Sequence, residues 1–588
     1  MELKEYEKKA ASGWNTWYTE SVFSHVLLPW CFAVNVAFHK ISSGERLGAP
    51  FIRREPEVRA DVRSFDGAYT CIKVRHGNVP LKVESAVSGG EQIIMVTPDG
   101  YYTSDELLIV EAMFLWGRDG TVTKENGALS AVMPSGERVK LYTNTAPQEY
   151  YLPEQYLPAM VFELNSPVVI STFPCGTVEA CKILGESRAA VLREAQAHGE
   201  YAEAYLAMQS CLGWNTVFDP IKKRVCSPVS RNWNKGKGGM IFCWDTFFAA
   251  MMLAGRSNTL AYVNYKTILD EMHPNGMVPN VSISTRGSDK DHSQPLVGSM
   301  TAEKIYAKLG DMEFLEEVYP KLLKWNEWYY ENRMRADGTM SWGSNTCGGS
   351  KGTLFGAKCE SGMDNSPMFD DAVYDAETGL LMQADVGVTG LFIKDCNSLI
   401  NIARILGKKE DIGMLSARLE RAENGLASLW NEEAGIFENR DLAKGEWVDR
   451  LTPMNFFALY SKRVSAEQKR SIAEKYLLNE NEFWGEYVLP TVTRRDPAFA
   501  EQHYWRGRIW APLNFLVYEA LKDAGLIREA KMLAEKSAAL LLIEWKNEHH
   551  VYENYSAVDG LGSSARQSDA FYHWGGLLGY IAVDSKEI

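Results

Sequence analysis

From about residue 188 onward the apolar residues recur at helical spacing in one segment after another, and this succession most constrains what the chain can fold into. The periodicity predicts amphipathic helices over roughly 245–255, 258–271, 298–309, 312–333, 384–407, 410–431, 452–461, 464–476, 508–523, 526–543 and 566–583. Repeated helix pairs of this length, joined alternately by short and long connections, predict an α/α toroid or barrel. Connections longer than about 15 residues inside a compact domain are usually functional or disordered. Those here, 231–245, 272–294, 341–371, 482–508 and 547–566, are rich in Trp, Asn, Asp and Gly instead of low-complexity sequence. Gathered at one end of a barrel they would form a single rim, the expected active site.

The first part of the chain has a different period. Segments 68–74, 81–87, 92–96, 107–116 and 167–172 are strand-like, and Gly77-Asn78, Ser88-Gly89-Gly90, Pro98-Asp99-Gly100 and Arg118-Asp119-Gly120 supply turns between them. Short strands at this spacing predict an antiparallel β-sandwich. The aromatic run Trp14-Asn15-Thr16-Trp17-Tyr18 is expected to lie buried under the sheet. Near Ser187 the character changes, and 188–211 reads as helix, rich in Ala, Glu, Leu and Gln. The chain therefore divides into an N-terminal sandwich, 1–187, and a mostly α domain, 188–588.

Composition narrows the partners. A formal charge of -14 argues against nucleic acid and anionic membranes as partners. Neither a charged leader before an apolar run nor about 18 uninterrupted apolar residues occurs, so the expected location is cytoplasmic. The ten cysteines show no CxxC or zinc-type spacing and read as reduced, mostly buried thiols. Seventeen tryptophans and 27 tyrosines suit the floor and walls of a sugar site, as well as a large core.

The motifs lie in the long connections. Asp364, in Glu360-Ser361-Gly362-Met363-Asp364-Asn365-Ser366, reads either as a turn residue or as a proton donor whose pKa is raised by desolvation against Trp342, Met363 and Phe369. Glu360 is either a ligand of a substrate hydroxyl or a structural acceptor. A second carboxyl, Glu553 in Tyr552-Glu553-Asn554-Tyr555, is the expected partner of Asp364 across one sugar-binding pocket. Glycoside hydrolysis requires such a pair, one carboxyl to protonate the departing oxygen and one to activate water or attack the anomeric carbon. Trp244-Asp245 reads as a core residue beside an N-cap, or as an indole under a sugar ring with a carboxylate on its hydroxyls. Gln294 offers a donor and an acceptor to a hydroxyl pair. In Tyr504-Trp505-Arg506-Gly507-Arg508-Ile509-Trp510, Trp505 and Trp510 can stack on sugar, and Arg506 can bind hydroxyls or hold a carboxylate ionised. His549, His550 and His573 lack a convincing third ligand, so neither a catalytic metal nor a cofactor is expected.

With Phe242-Cys243-Trp244-Asp245, Gly276-Met277-Val278-Pro279-Asn280 and Ser293-Gln294-Pro295, these runs resemble glycoside hydrolase family 63 and its mannosylglycerate-hydrolase-like relatives, in the family's order, over about 214–580. A more distant likeness is to family 37 trehalases. The resemblance implies an (α/α)₆ barrel behind a β-rich domain and hydrolysis of an α-linkage with inversion. By position it makes Asp364 the general acid and Glu553 the general base. It also matches Trp244, Asp245, Gln294, Gly362, Trp505, Arg506 and Trp510 to sugar contacts. Trp574, in Tyr572-His573-Trp574-Gly575-Gly576, stands where this chain departs from the family's usual Trp-Ser-Ala type of run, and is expected to line the pocket.

The expected function is thus an inverting, exo-acting α-glycosidase, an α-glucosidase on small oligosaccharides or glucosyl conjugates. A mannosylglycerate- or glucosylglycerate-type glycosidase, a sugar phosphorylase or epimerase, and a non-catalytic glycan-binding protein are the alternatives on the same fold.

Overall fold

A computed structural model gives the fold of residues 3–49, 52, 58–77, 79–99, 105–152, 155–345 and 352–588. Asn78 and Gly100 of the expected turns, Cys347, and 346–351 of the connection 341–371 lie outside the described residues.

Beside a small three-stranded sheet, Thr121–Glu125, Ala128–Val132 and Arg138–Lys140, the N-terminal part is two large antiparallel sheets. One runs in the order Gly13–Asn15, Ser24–Leu28, Phe32–Lys40, Glu106–Phe114, Ala159–Glu163, and the other Tyr142–Thr143, Val168–Ser171, Glu91–Pro98, Val79–Ser88, Tyr69–His76, Val58–Arg63. Phe38 and Val110 of the first sheet share a buried core with Ile72 and Ile94 of the second. The strand Phe32–Lys40 escapes an alternation search because it is buried on both faces over its first seven residues. The helix expected over 188–211 is in fact two. Thr177–Gln196 lays Ala180, Leu184, Val191 and Ala195 towards the protein interior and packs on Val58–Arg63, Tyr69–His76 and Val79–Ser88. Ala202–Asn215 follows after a 3₁₀ turn at Gly199–Tyr201. Residue 187 therefore falls inside a helix that covers the sheet, not in a linker. Trp14 and Trp17 are buried, and the buried Arg231 donates to the carbonyl oxygens of Thr16 (2.6 Å) and Trp214 (2.5 Å), tying the two parts together.

The helical part closes on itself. Cys243–Leu253, Gly298–Leu309, Val386–Ile405, Pro453–Tyr460, Ala511–Asp523 and Leu577–Asp584 form an inner ring in which each element touches the next and the last touches the first. Ala202–Asn215, Asn258–Leu269, Met312–Arg333, Lys409–Ala427, the two-part segment 466–477 and Ile527–Glu548 alternate with them along the chain and form the outer layer. Every residue of Cys243–Leu253 is buried, whereas Lys409–Ala427 buries only one face. This is the (α/α)₆ arrangement. Each step from an inner to an outer element is short and each step from an outer to an inner element is long, so the long connections gather at the end where the inner helices begin.

Two expected elements differ. The segment expected as helix over 452–461 is a 3₁₀ turn stack, Pro453–Tyr460, opened by a Thr452–Asn455 capping box. The last helix is expected over 566–583 but spans only Leu577–Asp584, because 569–572 pairs by backbone with 551–553: Glu553 N donates to Asp569 O (3.0 Å) and Tyr572 N to Val551 O (2.9 Å).

Close packing of the inner ring yields a test. A Cβ at Gly390, in Val386–Ile405, would fall 2.9 Å from the Phe457 Cβ and closer still to its carbonyl. Gly390→Ala should therefore cost about 1–3 kcal/mol, seen as a lower thermal midpoint. Gly413→Ala, on an outer helix with open space around it, should instead raise stability by about 0.5–1 kcal/mol.

Candidate active site

The five connections 231–245, 272–294, 341–371, 482–508 and 547–566 converge on one cavity of about 230 Å³. Trp233, Phe242, Trp244 and Asp245 come from the first, Asn280 and Gln294 from the second, and Cys359, Gly362 and Asp364 from the third. Tyr504 and Trp505 come from the fourth, Glu553 from the fifth, and Tyr572 and Trp574 follow it. Asp364 and Glu553 thus face the same space.

The first two connections meet in a small sheet, Met240–Phe242 paired with Val281–Ile283, which delivers the chain into helix Cys243–Leu253. That helix has no side-chain cap of its own; Gln294 Oε1 accepts from Trp244 N (3.2 Å) and Asn280 O from Cys243 N (2.9 Å). Asp245 therefore sits in the first turn and not at the cap position. Its carboxyl is buried on the cavity, where Tyr572 OH donates to Oδ1 (3.3 Å), and burial pushes it up to about 8.

The third connection carries the helix Leu354–Glu360, so Lys358, Cys359 and Glu360 close a helix where a loop is expected. Beyond it Gly362 adopts φ +76° against Trp244; a Cβ there would lie 2.7 Å from the indole. Met363 and Asp364 follow directly. Burial raises the Asp364 carboxyl above the usual aspartate range, and the Asn365 N–H on Oδ1 (2.9 Å) opposes this.

In the fourth connection a tight turn pairs His503 with Arg506, and Asn365 Oδ1 accepts from Trp505 N (2.9 Å), joining this turn to the Asp364 segment. Trp505 stacks on Trp510 at 3.7 Å. With Trp244 and Trp574, whose centroids lie 5.9 Å apart, Trp505 forms three aromatic walls.

Glu553 is held by exchange with Asp569: its N–H donates to Asp569 O, and its Oε2 accepts from Asp569 N (3.2 Å). Its own carbonyl accepts from Trp574 Nε1 (2.8 Å). Burial first, then the Asp569 and Asp245 carboxylates, push the Glu553 carboxyl well above the glutamate range; the Asp569 N–H and Arg508 pull it down. Asp245 adds to the rise at Glu553, whereas the rise at Asp364 comes from burial alone, and all three carboxyls hold protons at pH values where free carboxylates would not.

Three residues expected at the sugar lie elsewhere. Glu360 is buried away from the cavity, its oxygens taken by Arg333 Nε (2.6 Å), Arg333 Nη2 (2.8 Å), Ser293 N (3.1 Å) and Gly343 N (2.7 Å). Arg506 points outward to Glu501 (2.7 Å) and Asp370 (2.8 Å). Trp510 stands behind Trp505 and donates to Tyr504 O (2.9 Å). Conversely Trp233, Phe242, Asn280, Cys359, Tyr504 and Tyr572 line the cavity without having been singled out. Phe242, Asn280, Tyr504 and Tyr572 stand inside the motifs quoted above and Cys359 directly precedes one, which is the available signal; Trp233 carries none. Among the described residues no group of three His, Cys, Asp or Glu side chains is placed to hold a metal ion.

Two outcomes follow from this geometry. Glu360→Ala would leave the buried Arg333 cation unpaired and should destabilise the fold by about 3–5 kcal/mol in urea unfolding. Asp245 keeps its proton in the folded state up to about 8, whereas its ordinary value is 3.8. The unfolded chain releases that proton first, so stability falls as the pH rises through this window. The advantage of Asp245→Asn over wild type in urea midpoints should therefore grow from about pH 4 to about pH 8; a constant difference would contradict it.

Residues 240–574 match the family described as the mannosylglycerate hydrolase MGH1-like glycoside hydrolase domain. Mannosylglycerate hydrolase MGH1 of Selaginella moellendorffii is 22% identical over 392 residues, covering 54% of this chain and 76% of that protein. A mannosylglycerate hydrolase of Thermus thermophilus is 24% identical over 386 residues, 53% of this chain and 88% of that protein. Mannosyl-oligosaccharide glucosidase of Saccharomyces cerevisiae is 26% identical over 305 residues, 45% of this chain and 35% of that protein. Among solved structures, a GH63 mannosylglycerate hydrolase of Thermus thermophilus in complex with glucose is 24% identical, covers 58% of this chain and 92% of that one, and has a TM-score of 0.49. The family match extends over more than half of the chain and takes in every cavity residue except Trp233, so this chain belongs to the MGH1-like group of glycoside hydrolase family 63, hydrolases of glycosidic bonds.

Proposed function

We propose that this chain is an inverting, exo-acting α-glycosidase, an α-glucosidase on small oligosaccharides or glucosyl conjugates. The supporting observation is that Asp364 and Glu553 line one cavity walled by Trp244, Trp505 and Trp574. A space of about 230 Å³ suits one terminal sugar ring, being smaller than the about 300–1,000 Å³ of larger ligand pockets. The yeast glucosidase relative supports glucose as that ring.

In this proposal Asp364 protonates the leaving oxygen and Glu553 deprotonates a water on the opposite face of the ring. The Asp569 N–H fixes Glu553 Oε2 as an acceptor, which suits a base. Asp245, Gln294 and Asn280 meet the sugar hydroxyls; Glu360, Arg506 and Trp510 support the walls from behind. One observation favours exchanging the acid and the base: Glu553 is the more deeply buried carboxyl and on that ground keeps its proton longer. We also propose that the catalytic unit begins after Gln196, where the sheet-covering helix ends. The nine described cysteines are free thiols, seven of them buried, which supports a reducing, cytoplasmic setting.

Leaving-group dependence separates the two assignments. A glycosyl fluoride needs little protonation of its leaving group, so Asp364→Asn should retain far more activity on α-glucosyl fluoride than on a disaccharide. Glu553→Gln should lose about 10²–10⁴-fold on both and form a β-glycosyl azide when azide is added. The reverse pattern would make Glu553 the acid. In either case NMR should show the β-anomer of the sugar released first; an α-anomer would refute inversion.

A further inference from the structure

The leaving group of an exo-acting enzyme lies towards the mouth of the cavity, so the residues there set what it can be. Trp233 lines the cavity yet remains 38% exposed, beside Phe242, whose ring meets it edge to face at 6.1 Å. A large flat ring left in contact with solvent at a polar cavity can stack on the C–H face of a sugar.

Its position is built, not incidental. Ser230 caps the short helix Arg231–Asn234, accepting from Trp233 N (3.2 Å) and donating to Asp569 Oδ2 (2.8 Å). Asn232 Nδ2 donates to the other oxygen of the same carboxylate (3.3 Å). The backbone of Asp569 is what holds Glu553. One residue thus secures the indole with its side chain and the catalytic-site glutamate with its main chain. On one face of Trp233 the Lys237 ammonium lies 5.3 Å from the ring centroid and within 3.2 Å of Met240 Sδ. Burial and Arg286 pull that ammonium below the usual lysine range.

We propose that Trp233 and Phe242 form the leaving-group subsite and that it takes a second sugar ring, so that the substrate is an α-linked disaccharide or its equivalent. A glycerate leaving group has no ring to stack on Trp233. Trp233 lies before the family-matched residues 240–574, so its half of the subsite is not set by the family match, whereas Phe242 lies within it. The inference rests on the glycosidase assignment above.

The test compares kcat/KM on α-glucosyl disaccharides, on glucosylglycerate and on α-glucosyl fluoride, for wild type, Trp233→Ala and Trp233→Phe. Wild type should prefer a disaccharide to glucosylglycerate. In Trp233→Ala the ratio of disaccharide to fluoride kcat/KM should fall about tenfold, through KM, and Trp233→Phe should restore most of it. A preference for glucosylglycerate, an unchanged ratio, or an equal loss on both substrates would overturn the leaving-group assignment alone. Failure of the wild type to hydrolyse the fluoride would overturn the α-glucosidase assignment and this inference with it.

Discussion

The carboxylate of Glu360 fixes the shape of the candidate site without touching its cavity. It accepts from both arms of Arg333, at the end of the outer helix Met312–Arg333, and from the backbone of Ser293 and Gly343. These donors use all four lone-pair positions of the ion. A buried charge costs several kcal/mol unless it is paired and fully hydrogen-bonded, so this set of contacts has essentially one low-energy arrangement. Two long connections and the end of an outer helix are thereby locked together four residues before Asp364. Gly362, pressed on Trp244, transmits that position to Asp364.

Around this anchor the barrel supplies a dry, stiff wall and the connections supply polarity. The long connections arrive where the inner helices begin, and the polar groups of the cavity lie there. Trp244, Trp505 and Trp574 exclude water from the sides of the cavity, which strengthens every charge interaction inside it. The consequence is visible in the carboxyls. Asp245, Asp364 and Glu553 are each held above their ordinary range with burial as the leading cause. A site that must store a proton on one carboxyl and accept one on another needs such a shift on at least one partner. Which carboxyl keeps its proton longer is set by how far Arg508 and the Asp569 N–H offset the burial of Glu553.

Much of this was legible in the residues, and the failures have physical causes. Helical periodicity located most barrel helices to within a few positions, because amphipathic packing imposes it directly. The long connections announced themselves by composition, and the runs around Asp364, Trp505 and Glu553 pointed to one cavity. Phe32–Lys40 was hidden because burial on both faces erases alternation. The final helix was overextended because 569–572 satisfies its backbone on 551–553, a tertiary pairing that no local pattern encodes. Glu360, Arg506 and Trp510 share a further cause. Each is a polar or aromatic residue within one to five positions of a cavity residue, and which of two neighbours turns inward depends on partners such as Arg333 and Asp370, distant in the chain.

The central claim is that two carboxyls, remote in sequence, face each other across one sugar ring and one water. The most direct measurement is a crystal structure of Glu553→Gln with an unhydrolysed α-glycoside bound. Inversion requires side-chain carboxyl positions at 364 and 553 about 6.5–9.5 Å apart, with a water between residue 553 and the anomeric carbon. A separation of about 5–5.5 Å, with no room for that water, would contradict inversion; a glycoside bound away from Asp364 would contradict the site itself.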